Sequence, residues 1–259
     1  MLSKGYLSKK LCCSRRLRTA RDHPERFSGQ FATPSLPPNS ALLVIDMQED
    51  FCEPHGTLAV KNGRVIAPLI NSLLSLPFKI TIASRDHHPT NHCSFASQHP
   101  GEKPFTSSHT IHNPNSTSPE PESQTTTLWP DHCVQGTSGC ELIPELDTTK
   151  IQHIVNKGED IRVEAYSAFG PPFRKPEIGM SGLKGLLTDA KVERVYVCGL
   201  ALDYCVKATA LDAMRAGWQT YVVRDATEAV DQSDEAVGAV MEDFEGGSVK
   251  VIGSKELLG

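Results

Sequence analysis

No apolar run in the 259 residues approaches the roughly twenty that a membrane-crossing helix requires, so the chain is expected to be soluble, with no membrane partner. The eight cysteines, Cys12, Cys13, Cys52, Cys93, Cys133, Cys140, Cys198 and Cys205, contain no paired metal-knuckle spacing, and no secretory apolar segment precedes them. This argues against a disulfide scaffold and fits free thiols in a reducing compartment. Acidic residues are missing before Asp22, and the first 39 residues carry eight Lys/Arg against two Asp/Glu. Subtracting their +6 from the overall −5 leaves −11 on the remainder. A body that acidic argues against nucleic acid as a partner. No internal repeat is visible.

What is present divides at about residue 40. Residues 1–39 mix Leu with Lys, Arg and Ser and end in the linker "PSLPPNS", which reads as a disordered basic extension outside the fold. A mitochondrial presequence is the alternative, with the cytoplasm as the expected location. Residues 40–259 suffice for one α/β domain. Six short apolar runs read as strands: "ALLVID", "FKITIAS", "IQHIVNK", "VERVYVCG", "WQTYVVRD" and "SVKVIG". Helix-like stretches alternate with them: "GRVIAPLINSLLSL", "PEIGMSGLKGLLTDAK", "YCVKATALDAMRAG" and "DEAVGAVMEDFEG". The expected fold is a three-layer α/β/α sandwich around a six-stranded, mostly parallel sheet. One stretch breaks the alternation, a long loop at about 86–136 whose Ser-, Thr- and Pro-rich middle has no periodicity.

Ligands of such sheets gather beyond the carboxyl ends of the strands, which selects Asp46, Asp86, Lys157 and Cys205. Cys205 falls in the first turn after a strand, where unpaired backbone N–H groups favour a thiolate and bind an oxyanion. Asp46 can take the thiol proton and return it to a leaving group, and Lys157 can hold Asp46 ionised and favour the thiolate. The loop flanks "SRDHHPTNHCSF" and "LWPDHCV" are dense in metal-binding side chains. Asp86, His88 and His132 form an Asp-and-two-His set that leaves coordination positions open, as a catalytic zinc requires. His87, His92, Cys93, Cys133, His109 and His112 compete for the same role.

The segments "LLVIDMQEDF", "SRDHHPTNHCSF", "LWPDHCVQGT", "NKGED…EAYSAF" and "GLALDYCVKATALDA" resemble, in unbroken order over residues 40–253, the nicotinamidases of the isochorismatase-like (cysteine hydrolase) superfamily in their longer eukaryotic form. The resemblance implies hydrolysis of nicotinamide to nicotinate and ammonia, in the service of NAD salvage. It implies Asp46, Lys157 and Cys205 as catalytic residues and one divalent metal ion, zinc, on Asp86, His88 and His132, holding the pyridine nitrogen. Phe51, Trp129, Tyr166, Ala201 and Tyr204 match the family's substrate pocket. The backbone N–H groups of Ala201 and Cys205 would form the oxyanion hole, beside a cis bond between Leu200 and Ala201. His87 replaces an aromatic residue expected between the metal-binding pair, so either His87 or His88 could reach the ion. Within the same superfamily, an amidase of another aromatic amide or of a ureido or carbamoyl group is the alternative. A non-catalytic redox-sensing domain would not need Asp46 and Lys157. A homo-oligomer is compatible with the sequence.

Overall fold

The computed structural model describes residues 36–259, and the expected extension falls, up to residue 35, outside them. Among the described residues there are eight strands: β1 (Ser40–Ile45), β2 (Ile80–Asp86), β3 (Ser108–His112), β4 (Ser123–Thr127), β5 (His153–Lys157), β6 (Arg194–Leu200), β7 (Gln219–Glu228) and β8 (Lys250–Ile252). Five helices accompany them: α1 (Ala67–Leu74), α2 (Leu183–Asp189), α3 (Lys207–Arg215), α4 (Asp234–Gly246) and α5 (Lys255–Leu258). Six strands form one sheet in the order β5-β2-β1-β6-β7-β8, with every neighbouring pair parallel.

Strand alternation distributes the apolar residues over two cores. Along β1, Leu42 and Val44 face one side, while Ala41, Leu43 and Ile45 face the other. The first face is covered by Ile70, Leu73 and Leu74 of α1 and Leu257 of α5. The second is covered by Leu183 and Leu187 of α2, Ala210 and Ala213 of α3, and Val240 and Phe244 of α4. Burial on both faces makes β1 apolar from Ala41 to Ile45, and all six of its residues are buried. The expected three layers and six strands are therefore present.

The strand order reverses between β1 and β6, the place where open sheets leave a crevice beyond their carboxyl ends. Gly199 stands there opposite Ile45 with φ +108°, and a Cβ on it would run into the Ile45 carbonyl. Glycine is thus needed for β1 and β6 to close on each other just before their functional residues.

Two expectations need correction. The stretch from Pro176 is not helical at its start. Gly179 adopts φ +61° and α2 begins only at Leu183. The loop at about 86–136 is not structureless, because β3 and β4 pair antiparallel as a hairpin, from Ser108 opposite Thr127 to His112 opposite Ser123. Ile111 seats this hairpin in a small satellite core with Val163, Phe173 and Ile178.

Candidate active site

Asp46 follows β1 in a left-handed conformation, φ 46°, and is fully buried. A short Asp side chain tolerates that region better than most. The Ser84 hydroxyl of β2 donates to Asp46 Oδ1 at 2.6 Å, and the Asp46 N–H donates to Ser84 Oγ at 3.3 Å. Lys157, the last residue of β5, reaches inward with its side chain wholly out of solvent. Its ammonium stands 3.0 Å from Asp46 Oδ2 and 3.4 Å from Cys205 Sγ, donates to the Ala165 carbonyl at 3.1 Å and pairs with Asp86 Oδ1. The Lys157 contact with Asp46 Oδ2 is an ion pair off the line of a hydrogen bond, so that oxygen keeps no aligned donor. Cys205 lies on a π-helical turn, Leu202–Val206, between β6 and α3. Such single π-turns frequently sit at functional positions. The Leu200–Ala201 peptide entering this turn is cis, as expected.

Burial sets the charges here. It pushes the Cys205 thiol well up. Lys157 pulls it back, but the Asp46 and Asp86 carboxylates push it further, so the resting sulfur keeps its proton. Burial likewise raises Asp46, more than Lys157 lowers it. For Lys157, burial would strip the proton, yet the two carboxylates hold the group well above the usual lysine value. The charge of Lys157 lowers both Asp46 and Cys205 and is shared between Asp46 and Asp86.

Asp86, His88 and His132 are all buried and bring one ligand atom each within 4.8 Å of one another. His88 Nε2 stands 3.6 Å and His132 Nε2 3.8 Å from Asp86 Oδ2. The opposite nitrogens are anchored to carbonyls, His88 Nδ1 on Gly158 at 2.9 Å and His132 Nδ1 on Pro130 at 2.8 Å. Their Nε2 lone pairs therefore converge on the free Asp86 oxygen, and buried His88 Nε2 has no hydrogen-bond partner. An orphaned buried nitrogen beside a carboxylate, with outer-shell anchors on both rings, fits a divalent cation. Gly158, φ +69°, packs so close to the His88 ring that a Cβ would strike it.

The competing ligands are disposed otherwise. His87 turns outward, its Nδ1 2.8 Å from Glu159 Oε1, so His88 alone of the pair faces the cluster. His92 is buried with its ring 4.1 Å from that of His88, but both its nitrogens are bonded, to Ser94 Oγ at 2.8 Å and to the Val163 carbonyl at 3.1 Å. Burial and the neighbouring His88 depress its pKa to about 4. Cys93 packs on the satellite core, Cys133 Sγ faces the Gly139 carbonyl, and His109 and His112 lie on the hairpin.

Several contributors are not evident from the sequence motifs. Gln48 accepts from the Asp86 N–H at 2.8 Å and donates to the Asp86 carbonyl at 2.7 Å, clamping that residue's backbone. Glu164 is buried with a carboxylate oxygen within 4.8 Å of ring nitrogens of His88 and His92. Ser84 reads as an ordinary strand residue, two before Asp86. The one signal is placement, since Ser84 opens "SRDHHPTNHCSF", Gln48 falls inside "LLVIDMQEDF" and Glu164 opens "EAYSAF".

Phe51, Trp129, Tyr166, Ala201 and Tyr204 all line one small cavity, with Cys205, Asp86 and His132 in its wall. The Trp129 and Tyr204 rings meet edge-on at 5.0 Å, Tyr166 lies 5.3 Å from Tyr204, and Phe51 lies 5.5 Å from His132. Flat rings around a small, mostly apolar space suit a flat aromatic ligand. A larger open groove runs beside β5 and α2, but neither Cys205 nor any of the metal-binding trio lines it.

The Isochorismatase domain model matches residues 40–249. The nicotinamidase of Acinetobacter baylyi is 39% identical over 220 residues, covering 85% of this chain and 95% of that one. Among solved structures, the yeast nicotinamidase bound to the inhibitor nicotinaldehyde superposes with a TM-score of 0.76 at 32% identity, covering 83% of this chain and 99% of that one. The Pyrococcus horikoshii pyrazinamidase in complex with zinc gives 0.62 at 32% identity, covering 83% and 99%. The family match runs from the first residue of β1 to the last residue before β8, so it contains the whole convergence of strand ends just described, and the chain belongs to the isochorismatase domain family.

Proposed function

We propose that this chain is an amidohydrolase that converts nicotinamide to nicotinate and ammonia through a thioester on Cys205, supplying nicotinate to NAD salvage. The observation that carries the reading is the meeting of Cys205, Lys157 and Asp46 at an aromatic cavity whose wall contains Cys205 together with Asp86 and His132 of the metal-binding cluster. The similar nicotinamidases support the choice of substrate.

Asp46 accepts the thiol proton on its undonated Oδ2 as the sulfur attacks the amide carbon. The backbone N–H groups of Ala201 and Cys205 receive the charge developing on the carbonyl oxygen. The C–N bond then breaks and Asp46 returns its proton to the departing amine as ammonia. Water, deprotonated by the same carboxylate, attacks the thioester carbonyl. The C–S bond breaks, nicotinate leaves and the thiol regains its proton. Lys157 meets Asp46, Asp86 and the sulfur at once, so its charge offsets whichever of them carries the negative charge at each step. Phe51, Trp129, Tyr166 and Tyr204 enclose the pyridine ring. Zinc is our assignment for the ion on Asp86, His88 and His132, and when bound it supplies a Lewis-acidic anchor for the ring nitrogen. Asp86 is suited to the role because, although burial raises it, Lys157 and the two histidines together pull it well below the carboxylate range.

The test is ammonia release from nicotinamide by the purified protein beside Cys205→Ala. Release by the parent and none above background from the variant supports the reading. An inactive parent, or a variant retaining substantial turnover, overturns it.

A further inference from the structure

The β3–β4 hairpin interrupts the strand–helix alternation and contributes none of the groups assigned so far, yet it ends against the cavity. Thr126, buried near the end of β4, has Oγ1 2.6 Å from Tyr166 Oη. Trp129 Nε1 donates to the same phenol oxygen at 3.0 Å. Thr126 Oγ1 in turn donates to the Thr127 carbonyl at 3.2 Å. The phenol oxygen of Tyr166 is thus held from two sides, by the Trp129 N–H and by the Thr126 hydroxyl, which is itself within reach of a backbone carbonyl. The Tyr166 hydroxyl is thereby engaged inside the protein while the residue lines the cavity.

The hairpin is itself bolted down. Ile111 packs with Val163, three residues before Tyr166. Glu122 accepts the backbone N–H groups of Arg174 and Lys175 at 2.7 and 2.8 Å, and Asn113 donates to the Pro176 carbonyl at 2.8 Å. The hydroxyl of Thr126 is therefore a fixed point, referred to the same segment whose tyrosine it holds.

We propose that Thr126 is a positioning residue that fixes the Tyr166 ring as one wall of the pocket and so sets which aromatic amides fit. This deepens the nicotinamidase reading and rests on it. Loss of the Thr126 hydroxyl removes the shortest hydrogen bond to the buried phenol, and the ring must turn to replace it. The reacting groups stay where they are, so the loss falls on ground-state fit rather than on chemistry.

The experiment compares Thr126→Val, which keeps the side-chain shape, with Thr126→Ser, which keeps the hydroxyl. For Thr126→Val the expected result is a KM for nicotinamide raised roughly five- to tenfold with kcat within about twofold of the parent. Preference for nicotinamide over a ring-methylated nicotinamide should fall by a similar factor. Thr126→Ser should lie within about twofold of the parent in both constants, and a crystal structure of Thr126→Val should show the Tyr166 ring displaced. An unchanged KM and preference in Thr126→Val, or a Thr126→Ser variant equally impaired, overturns the assignment. If no variant and no parent releases ammonia, the amidase reading falls. The ring position in the Thr126→Val crystal then decides on Thr126 alone, an unmoved ring refuting it.

Discussion

At Asp46 the two carboxylate oxygens face different partners. Oδ1 is held by the Ser84 hydroxyl, whereas Oδ2 meets Lys157 without an aligned donor and stays open to a proton. Ser84 lowers the pKa of a carboxyl that burial raises, so removing it has two consequences. Ser84→Ala should cut kcat/KM about tenfold, the worth of one buried hydrogen bond to a charged group. It should also move the acid limb of the pH profile to higher pH, because Asp46 must be ionised to accept the thiol proton and would now be protonated sooner as pH falls. An acid limb that stays in place would remove Asp46 from the role of base. Asp46→Asn should cost about 10²- to 10⁴-fold in kcat. Beside the cluster, Gly158→Ala would force a methyl group into the His88 ring, and metal analysis of that variant should find well under one ion per chain. Asp46, Asp86, Lys157 and Cys205 were legible in the sequence because each closes or follows an apolar strand. Ser84, Gln48 and Glu164 were not, since a polar residue that serves another polar residue across the sheet leaves no local pattern.

At the scale of elements, the hairpin and the π-turn are the parts that periodicity could not reveal. Within β3 only Ile111 is buried, and within β4 only Thr126, so neither strand carries the apolar alternation by which strands are recognised. A two-stranded ribbon of this kind is marginal alone and depends on what it packs against. Ile111→Ala should accordingly loosen the ribbon without unfolding the sheet. Amide exchange across 108–127 should accelerate while exchange in β1 and β6 stays at the parent rate. Equal acceleration in both would show that the hairpin belongs to the main cooperative unit. The late start of α2 has a simpler origin, because Pro176, Gly179 and Gly182 interrupt an otherwise helix-like run and the structure follows the interruptions. In contrast, α4 starts where its Ser233 cap accepts from the Ala236 N–H, a signal of the usual kind.

For the whole molecule, alternation of strands and helices made the layered architecture legible, but not the strand order. That order brings residues 46, 157 and 205 together. β1 and β6 are neighbours despite some 150 intervening residues, and β5 stands two strands away, so Lys157 reaches the centre only by the length of its side chain. The cluster on Asp86, His88 and His132 ties the end of β2 to the segment before residue 133, and a cation bound there stabilises the folded state alone. At a free ion concentration a hundredfold above its Kd the gain is about 2.7 kcal/mol, so zinc should raise the Tm of chelator-treated protein and leave that of His88→Ala unchanged. An equal shift in both would place the ion elsewhere. The central claim, that the sulfur of Cys205 is acylated during turnover, is tested most directly by acid-quenching the protein with nicotinamide during turnover and measuring the mass of the peptide that contains Cys205. The account predicts a nicotinoyl adduct on that residue, absent without substrate, and slower to disappear when Asp46 is replaced by Asn. Steady ammonia release with that peptide unmodified, or with the adduct on another cysteine, would contradict it.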